Sequence, residues 1–239
     1  MLNDYFCRDH SIFTLGESKE IIRQVLSAVE HLHRHWIVHR DLKSSNLLLS
    51  NRGRVQVADF GLARRLGPLA EHLTPVVVTL WYRSPELLLG AKKYDSAVDM
   101  WSVGCILAEL LLGRPLMPGK SEPDQLDKIF RLFGLPDEII WPGCSTQLPG
   151  YSSIPLSKYS HVPPAIYNLN AVFTKYGVSL SDAGYDLLLR CFTFDPKRRI
   201  TASEALNHEF FKEHPLPKDP SLFPSWPSFQ KAKKAKNNK

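Results

Sequence analysis

The sequence predicts an α+β fold that is mainly α-helical and carries one short β-hairpin. Three observations lead there: apolar residues at helical spacing from Glu17 to Trp36, two short apolar runs around the turn residues Ser50-Asn51-Arg52-Gly53, and a later succession of capped helical segments. With 239 residues, 44% of them hydrophobic, the chain can bury a sizeable core.

In the first segment Ile21, Ile22, Val25, Leu26, Val29, Leu32 and Trp36 fall on one face, and Ser18 is the expected N-cap. Ile37-Val38 leads into a polar loop, His39 to Asn46. Leu47-Leu48-Leu49 and Val55 to Ala58 then form the two strands of the hairpin. The stretch from Gly61 to about Glu86, rich in Gly, Pro and Thr, is too long for a plain connector and reads as a functional loop. Ser96-x-x-Asp99 reads as a capping box for a helix over Ala97 to Leu112, which is apolar on most faces, belongs in the centre and stops at Gly113. Leu126 to Phe133 is a shorter helix. Residues 134–177 read as an ordered insert of irregular structure. Asp182 to Phe192 and Thr201 to Phe211 are the last helices, the second opened by Thr201-x-x-Glu204. From Pro215 the prolines and the lysine-rich end predict an extended tail.

Charge and cysteine usage narrow the classes of function. Of the net +6, Lys231, Lys233, Lys234, Lys236 and Lys239 supply five, so the body is close to neutral and no direct nucleic-acid contact is expected. That terminal run reads equally as a nuclear-import signal or a solvated end. Cys7, Cys105, Cys144 and Cys191 are scattered and form no C-x-x-C pair, which predicts reduced thiols. No run reaches the roughly 18 apolar residues that span a bilayer. No membrane partner is expected, and the expected compartment is nucleus, cytoplasm or both. His31, His33, His35 and His39 lack the Glu of an H-E-x-x-H site and are not read as a zinc cluster. The tryptophans Trp81, Trp101, Trp141 and Trp226 are read as packing residues.

The chemistry lies at the hairpin. Asn46 precedes its outgoing strand and Asp59 follows its returning one, so antiparallel pairing brings both to the same open end. An amide oxygen and a carboxylate together suit a hard cation such as Mg²⁺ bound with substrate phosphates. Asp41 stands nearby as a group able to accept the proton of an attacking hydroxyl, and Lys43 as one able to neutralise developing charge.

His39-Arg40-Asp41-Leu42-Lys43-Ser44-Ser45-Asn46 with Asp59-Phe60-Gly61 resembles the catalytic loop and metal-binding motif of eukaryotic protein kinases. Ser84-Pro85-Glu86, Asp99-Met100-Trp101-Ser102-Val103-Gly104 and Asp195-Pro196 with Arg199 follow in the family's order. The resemblance implies a buried Glu86–Arg199 bridge and an Asp99 that holds the catalytic-loop backbone, with the change from Ala to a readily solvated Ser at Ser84 of little weight. Thr74-Pro75-Val76-Val77-Val78-Thr79-Leu80-Trp81-Tyr82-Arg83 is similar to the activation segment of cyclin-dependent kinases. Pro75-Val76-Val77-Val78, the Leu87-Leu88-Leu89-Gly90 run and Pro215 to Pro227 narrow the likeness to the PITSLRE-type branch and its nearest relatives, over about residues 17–228.

That resemblance implies a serine/threonine kinase using ATP and Mg²⁺ on Ser/Thr-Pro proteins, with a cyclin and an activating kinase as partners, in cell-cycle, transcription or RNA-processing control. Asp41, Lys43, Asn46 and Thr79 are its catalytic positions, Thr79 bridging Asp41 and Lys43. Leu48, Ala58 and Asp59 would contact the nucleotide, and Asn46 and Asp59 the metal. Thr74 is the implied phosphorylation site, Arg40 and Arg64 the residues that bind its phosphate, and Val77 and Arg83 the substrate groove. Gly16 is the only glycine before Gly53, and Lys19 the only lysine before Lys43, so no Gly-rich phosphate loop or strand lysine is found. The expected organisation is therefore a protein-kinase-like C-lobe over 17–214, a remnant of the inter-lobe segment over 1–16 and a tail over 215–239. A truncated kinase chain is the first expectation. A catalytically inactive lobe that binds or competes is the alternative.

Overall fold

Helix α1 (Leu15–Arg34) opens one turn earlier than its apolar periodicity suggests, because Thr14 and not Ser18 caps it. The Thr14 hydroxyl accepts the Glu17 N–H and the Glu17 carboxylate accepts the Thr14 N–H, so two orphan donors are satisfied reciprocally. Ser18 is already inside the helix, buried, and its hydroxyl has no partner among the described residues. The computed structural model describes residue 2 and residues 13–66 and 79–223. Thr74, Val77, Cys7, Trp226 and the terminal lysines lie outside these.

After α1 the strand β1 (Ile37–Val38) enters the loop, β2 (Leu47–Leu49) and β3 (Val55–Val57) form the hairpin with Leu47 opposite Val57, and β4 (Arg64–Arg65) returns antiparallel to β1. Gly53 turns the hairpin at φ 68°, and an added Cβ would lie 2.4 Å from the Pro220 carbonyl oxygen, so glycine is required twice over. The short helix α2 (Pro85–Leu88) precedes α3 (Ala97–Leu112). All sixteen residues of α3 are buried, which makes it the axis of the domain. Its predicted capping box does not form: Ser96 caps nothing, and Asp99 is turned away from the helix start toward the loop His39 to Asn46. Gly113, at φ 67°, ends it.

Helix α4 (Glu122–Phe133) begins ahead of its predicted start because Ser121 accepts the Asp124 N–H. The insert holds more helix than its composition suggests, α5 (Cys144–Gln147) and the eleven-residue α6 (Ala165–Lys175), whose Leu169 and Phe173 are buried. Then come α7 (Asp182–Cys191) and α8 (Ala202–Leu206), the latter with the expected Thr201–Glu204 box. The final helix breaks at His208, whose Nδ1 accepts the Phe210 N–H and starts a separate 3₁₀ turn, Glu209–Phe211. Trp101 packs edge-on against Phe133 and Phe192, and Gly104 admits the α7 end, since a Cβ there would lie 2.8 Å from Cys191 Cβ.

The tail does not extend freely from Pro215. The Lys218 N–H donates to the Gly16 carbonyl (2.9 Å), its ammonium reaches Glu17 (2.8 Å), and Phe223 is buried in the core. Cys105, Cys144 and Cys191 are buried free thiols. Among the described residues no helix is long and apolar enough to cross a membrane.

Candidate active site

Arg40 occupies the left-handed region at φ 68°, rare for a side chain of its size. The turn this makes points two successive N–H groups at one carboxylate: His39 N donates to Asp99 Oδ2 (2.9 Å) and Arg40 N to Asp99 Oδ1 (2.8 Å). Asp99 is fully buried, and His33 of α1 adds an imidazole contact through Nε2 at 2.9 Å. His39 accepts the Asp41 N–H at Nδ1 (3.3 Å), which leaves the Nε2 proton for the Ala58 carbonyl (3.2 Å) and fixes the tautomer. Phe60 packs edge-on against this imidazole. The loop is thereby clamped before any substrate arrives.

On that clamp Asp41, Lys43 and Asn46 converge. Lys43 Nζ donates to Asp41 Oδ2 at 2.7 Å, and Asn46 Nδ2 donates to the same oxygen at 3.1 Å and to the Asp41 carbonyl at 2.9 Å. Asp41 Oδ1 and Asn46 Oδ1 have no hydrogen-bond partner among the described residues. Ala58 N donates to Asn46 O, closing the hairpin's open end and bringing Asp59 up beside it. Asp59, at φ 64°, is exposed and, among the described residues, accepts only the Gly61 N–H, at 3.3 Å. One uncommitted amide oxygen and one exposed carboxylate are a hard-oxygen donor set that fits Mg²⁺.

Other expected site residues are placed differently. Thr79 is exposed and hydrogen-bonds neither Asp41 nor Lys43, which close on each other directly, so the expected Thr79 bridge is not formed. Leu48 is 39% exposed on the hairpin, opposite Gln56. Arg40 is held by neutral acceptors, Nε on the Leu62 carbonyl and Nη1 on the Tyr94 hydroxyl, each at 2.7 Å. Arg64 is exposed on β4, and Arg83 pairs with Glu122 at 3.1 Å.

The scaffold pairs implied by resemblance are present. Arg199 forks onto Glu86 at 2.7 and 3.0 Å with both side chains buried, and donates further to the carbonyls of Thr193, Ala97 and Phe194. Ser84, expected to solvate, is instead buried, and its hydroxyl has no partner among the described residues.

Sequence reasoning missed a cluster beneath the loop. Ser44 Oγ, Tyr82 Oη and the Glu109 carboxyl lie within 2.6 to 3.2 Å of one another, and burial pushes the Glu109 carboxyl above its ordinary range. A lone acid in the apolar run Ile106 to Leu112 was the signal. A surface hollow of about 560 Å³ between α7 and α8, lined by Asp186, Arg190 and His208 among others, contains none of these loop residues.

A loop that presents a proton acceptor, a cation and a hard-metal donor set together defines a phosphoryl-transfer scaffold. Residues 1–211 match the protein kinase domain family, and the chain belongs to it. Within the family the chain is similar to cyclin-dependent kinases. It is 52% identical to cyclin-dependent kinase 11B of Mus musculus over 94% of this chain and 27% of that protein. To cyclin-dependent kinase G-1 of Oryza sativa subsp. indica it is 52% identical over 90% of this chain and 31% of that protein. The chain thus spans about a quarter to a third of the length of these relatives. Among solved structures, a chain of the yeast RNA Pol II CTD kinase CTDK-1 complex superposes with TM-score 0.82 at 34% identity, over 92% of this chain and 70% of that one.

Proposed function

We propose that the chain serves a serine/threonine protein kinase of the cyclin-dependent type, which moves the ATP γ-phosphate to Ser/Thr-Pro sites in cell-cycle, transcription or RNA-processing control. The observation that carries this reading is the Asp41 carboxylate: one oxygen is pinned by Lys43 and Asn46, and the other is left for an incoming hydroxyl. Asp41 Oδ1 orients the substrate hydroxyl and takes its proton as the oxygen attacks phosphorus and ADP leaves. Lys43 offsets the negative charge that gathers beside Asp41. Mg²⁺ held by Asn46 and Asp59 would supply positive charge against the phosphates.

Regulation follows the same reading. A phosphate on Thr74 would bring close to two negative charges to Arg40 and Arg64, neither of which forms a salt bridge among the described residues. A cyclin is the proposed activating partner, and nucleus, cytoplasm or both the proposed compartment.

The test is Mg-ATP-dependent transfer by the 239-residue chain, with and without a cyclin, to Ser-Pro and Ser-Ala peptides. Transfer should favour Ser-Pro, vanish in Asp59→Ala and fall by roughly 10²–10⁴ in Asp41→Asn. Thr74→Ala should lose most of the cyclin-dependent rate. A second reading, a module that binds proteins without catalysis, has the exposure of Leu48 and Phe60 beside the site in its favour, 39% and 48%. Absence of both nucleotide binding and transfer would decide for it.

A further inference from the structure

Glu109 is one turn along α3 from Cys105 and almost wholly buried, and it forms no salt bridge among the described residues. Its Oε2 lies 2.6 Å from Tyr82 Oη, its Oε1 lies 3.2 Å from Ser44 Oγ, and the two hydroxyl oxygens are 3.0 Å apart. The three groups form a closed triangle of hydrogen-bonding contacts. Each edge needs one proton, yet two hydroxyls bring only two. With Glu109 ionised, the two hydroxyl protons serve two edges in either arrangement, and the third edge is left as lone pair against lone pair. A protonated Glu109 supplies the third: Glu109 Oε1–H donates to Ser44, the Ser44 hydroxyl to Tyr82, and the Tyr82 hydroxyl back to Glu109 Oε2.

We propose that Glu109 is carried as a neutral carboxylic acid that closes this ring, and that the ring is a positioning device tying the catalytic loop to the turn Leu80–Tyr82 beside the substrate groove. Ser44 follows Lys43 directly and starts the turn that delivers Asn46, while Tyr82 precedes Arg83. Burial, the largest influence on Glu109, also favours its neutral form. The titratable groups facing it are Tyr82 from the turn and Cys105 on α3; Cys105 in turn is flanked by Cys191 on α7 and by Arg199, whose charge is committed to Glu86. A carboxylic acid kept neutral to donate a hydrogen bond is established chemistry in apolar enzyme sites.

The protonation does not depend on the kinase reading, whereas the benefit to turnover does, and the experiment separates them. The infrared difference spectrum of the 239-residue chain minus Glu109→Gln, taken at neutral pH, should contain a protonated-carboxyl C=O band. The amide introduced by Glu109→Gln is the isostere of the neutral acid, its NH₂ facing Ser44 and its carbonyl facing Tyr82. Glu109→Gln should therefore melt within about 3 °C of the parent, while Glu109→Ala melts lower and exchanges its Asn46 amide proton about tenfold faster. The parent's melting temperature should fall as pH rises above the ordinary carboxylate value, and that slope should vanish in Glu109→Gln. Given turnover in the parent, Glu109→Ala should lower kcat about tenfold with little change in KM, and Glu109→Gln should restore it. No protonated-carboxyl band, or a Gln variant as damaged as the Ala variant, overturns the ring. Unchanged Asn46 exchange in Glu109→Ala overturns the positioning. A parent without turnover sinks the proposed function and leaves the ring to be judged on the spectrum and the melts.

Discussion

Replacing Asp99 by alanine should unfold the catalytic loop before it unfolds anything else. The wild-type carboxylate accepts two backbone N–H groups, at 2.9 and 2.8 Å, in a fully buried position. Alanine leaves both donors without a partner, the His39 N–H in a buried position and the Arg40 N–H in a partly buried one. An orphaned buried donor costs about 1–3 kcal/mol, and two of them, less some relaxation, give about 3–5 kcal/mol. For a chain of this size about 1 kcal/mol shifts the melting temperature by roughly 2–4 °C, so a fall of roughly 6–20 °C is expected. Asp99→Asn should sit between, because its amide oxygen can serve one donor while its NH₂ opposes the other. Urea denaturation followed by circular dichroism measures the loss. Asp186→Asn is the control, a half-exposed carboxylate paired with Arg190 and His208, with an expected loss under about 1 kcal/mol. Should Asp99→Ala lose no more than this control, the idea that the loop hangs on buried backbone donors is refuted.

Arg199→Lys should be destabilised by about 3–5 kcal/mol although charge is kept, since an ammonium cannot reproduce the fork on Glu86 and the three carbonyl contacts together; a melt unchanged from the parent would contradict this. Gly104→Ala should lose about 1–3 kcal/mol by urea titration, because the new methyl meets Cys191 Cβ at 2.8 Å and the Phe192 ring at 3.1 Å. Glu138 gives a pH signature. Hydrogen bonds from Ser145 and from the Gly143 and Ser145 N–H groups hold its carboxyl down to about 2 against an ordinary 4.5. Its contribution is whole above the ordinary value and is lost as pH falls from there toward about 2, so Glu138→Gln should flatten that part of the melting curve. Equal slopes in parent and variant would count against it.

What the sequence made legible followed from local pattern. The hairpin, the buried α3 and the meeting of Asp41, Lys43 and Asn46 could be read because each depends on spacing of two, 3.6 or a few residues. Partner choice could not. Ser96-x-x-Asp99 satisfies the local rule for a capping box, yet Asp99 serves donors some sixty positions earlier, where a strained turn offers two N–H groups to one carboxylate. The same competition moved the first cap from Ser18 to Thr14, whose partner Glu17 is fixed from outside by Lys218. The insert was underestimated because Pro and Gly mark its turns, while the apolar side of α6 becomes visible only once it packs on α4 and α7. Thr79 was assigned a bridge by likeness alone, and the direct Lys43–Asp41 pair makes such a bridge unnecessary.

The two acids of α3, Asp99 near its start and Glu109 near its end, give that helix the character of a ruler. Ten residues at about 1.5 Å each place them about 15 Å apart along the axis and roughly 80° apart around it. One end is bolted to the beginning of the catalytic loop, the other to its far side and to the turn Leu80–Tyr82. A substitution within α3 alters how well this rod fits its sleeve. A single inserted residue would do something different in kind, swinging Glu109 by about 100° and lifting it by about 1.5 Å, so that the two ends of the loop would be measured out to the wrong length.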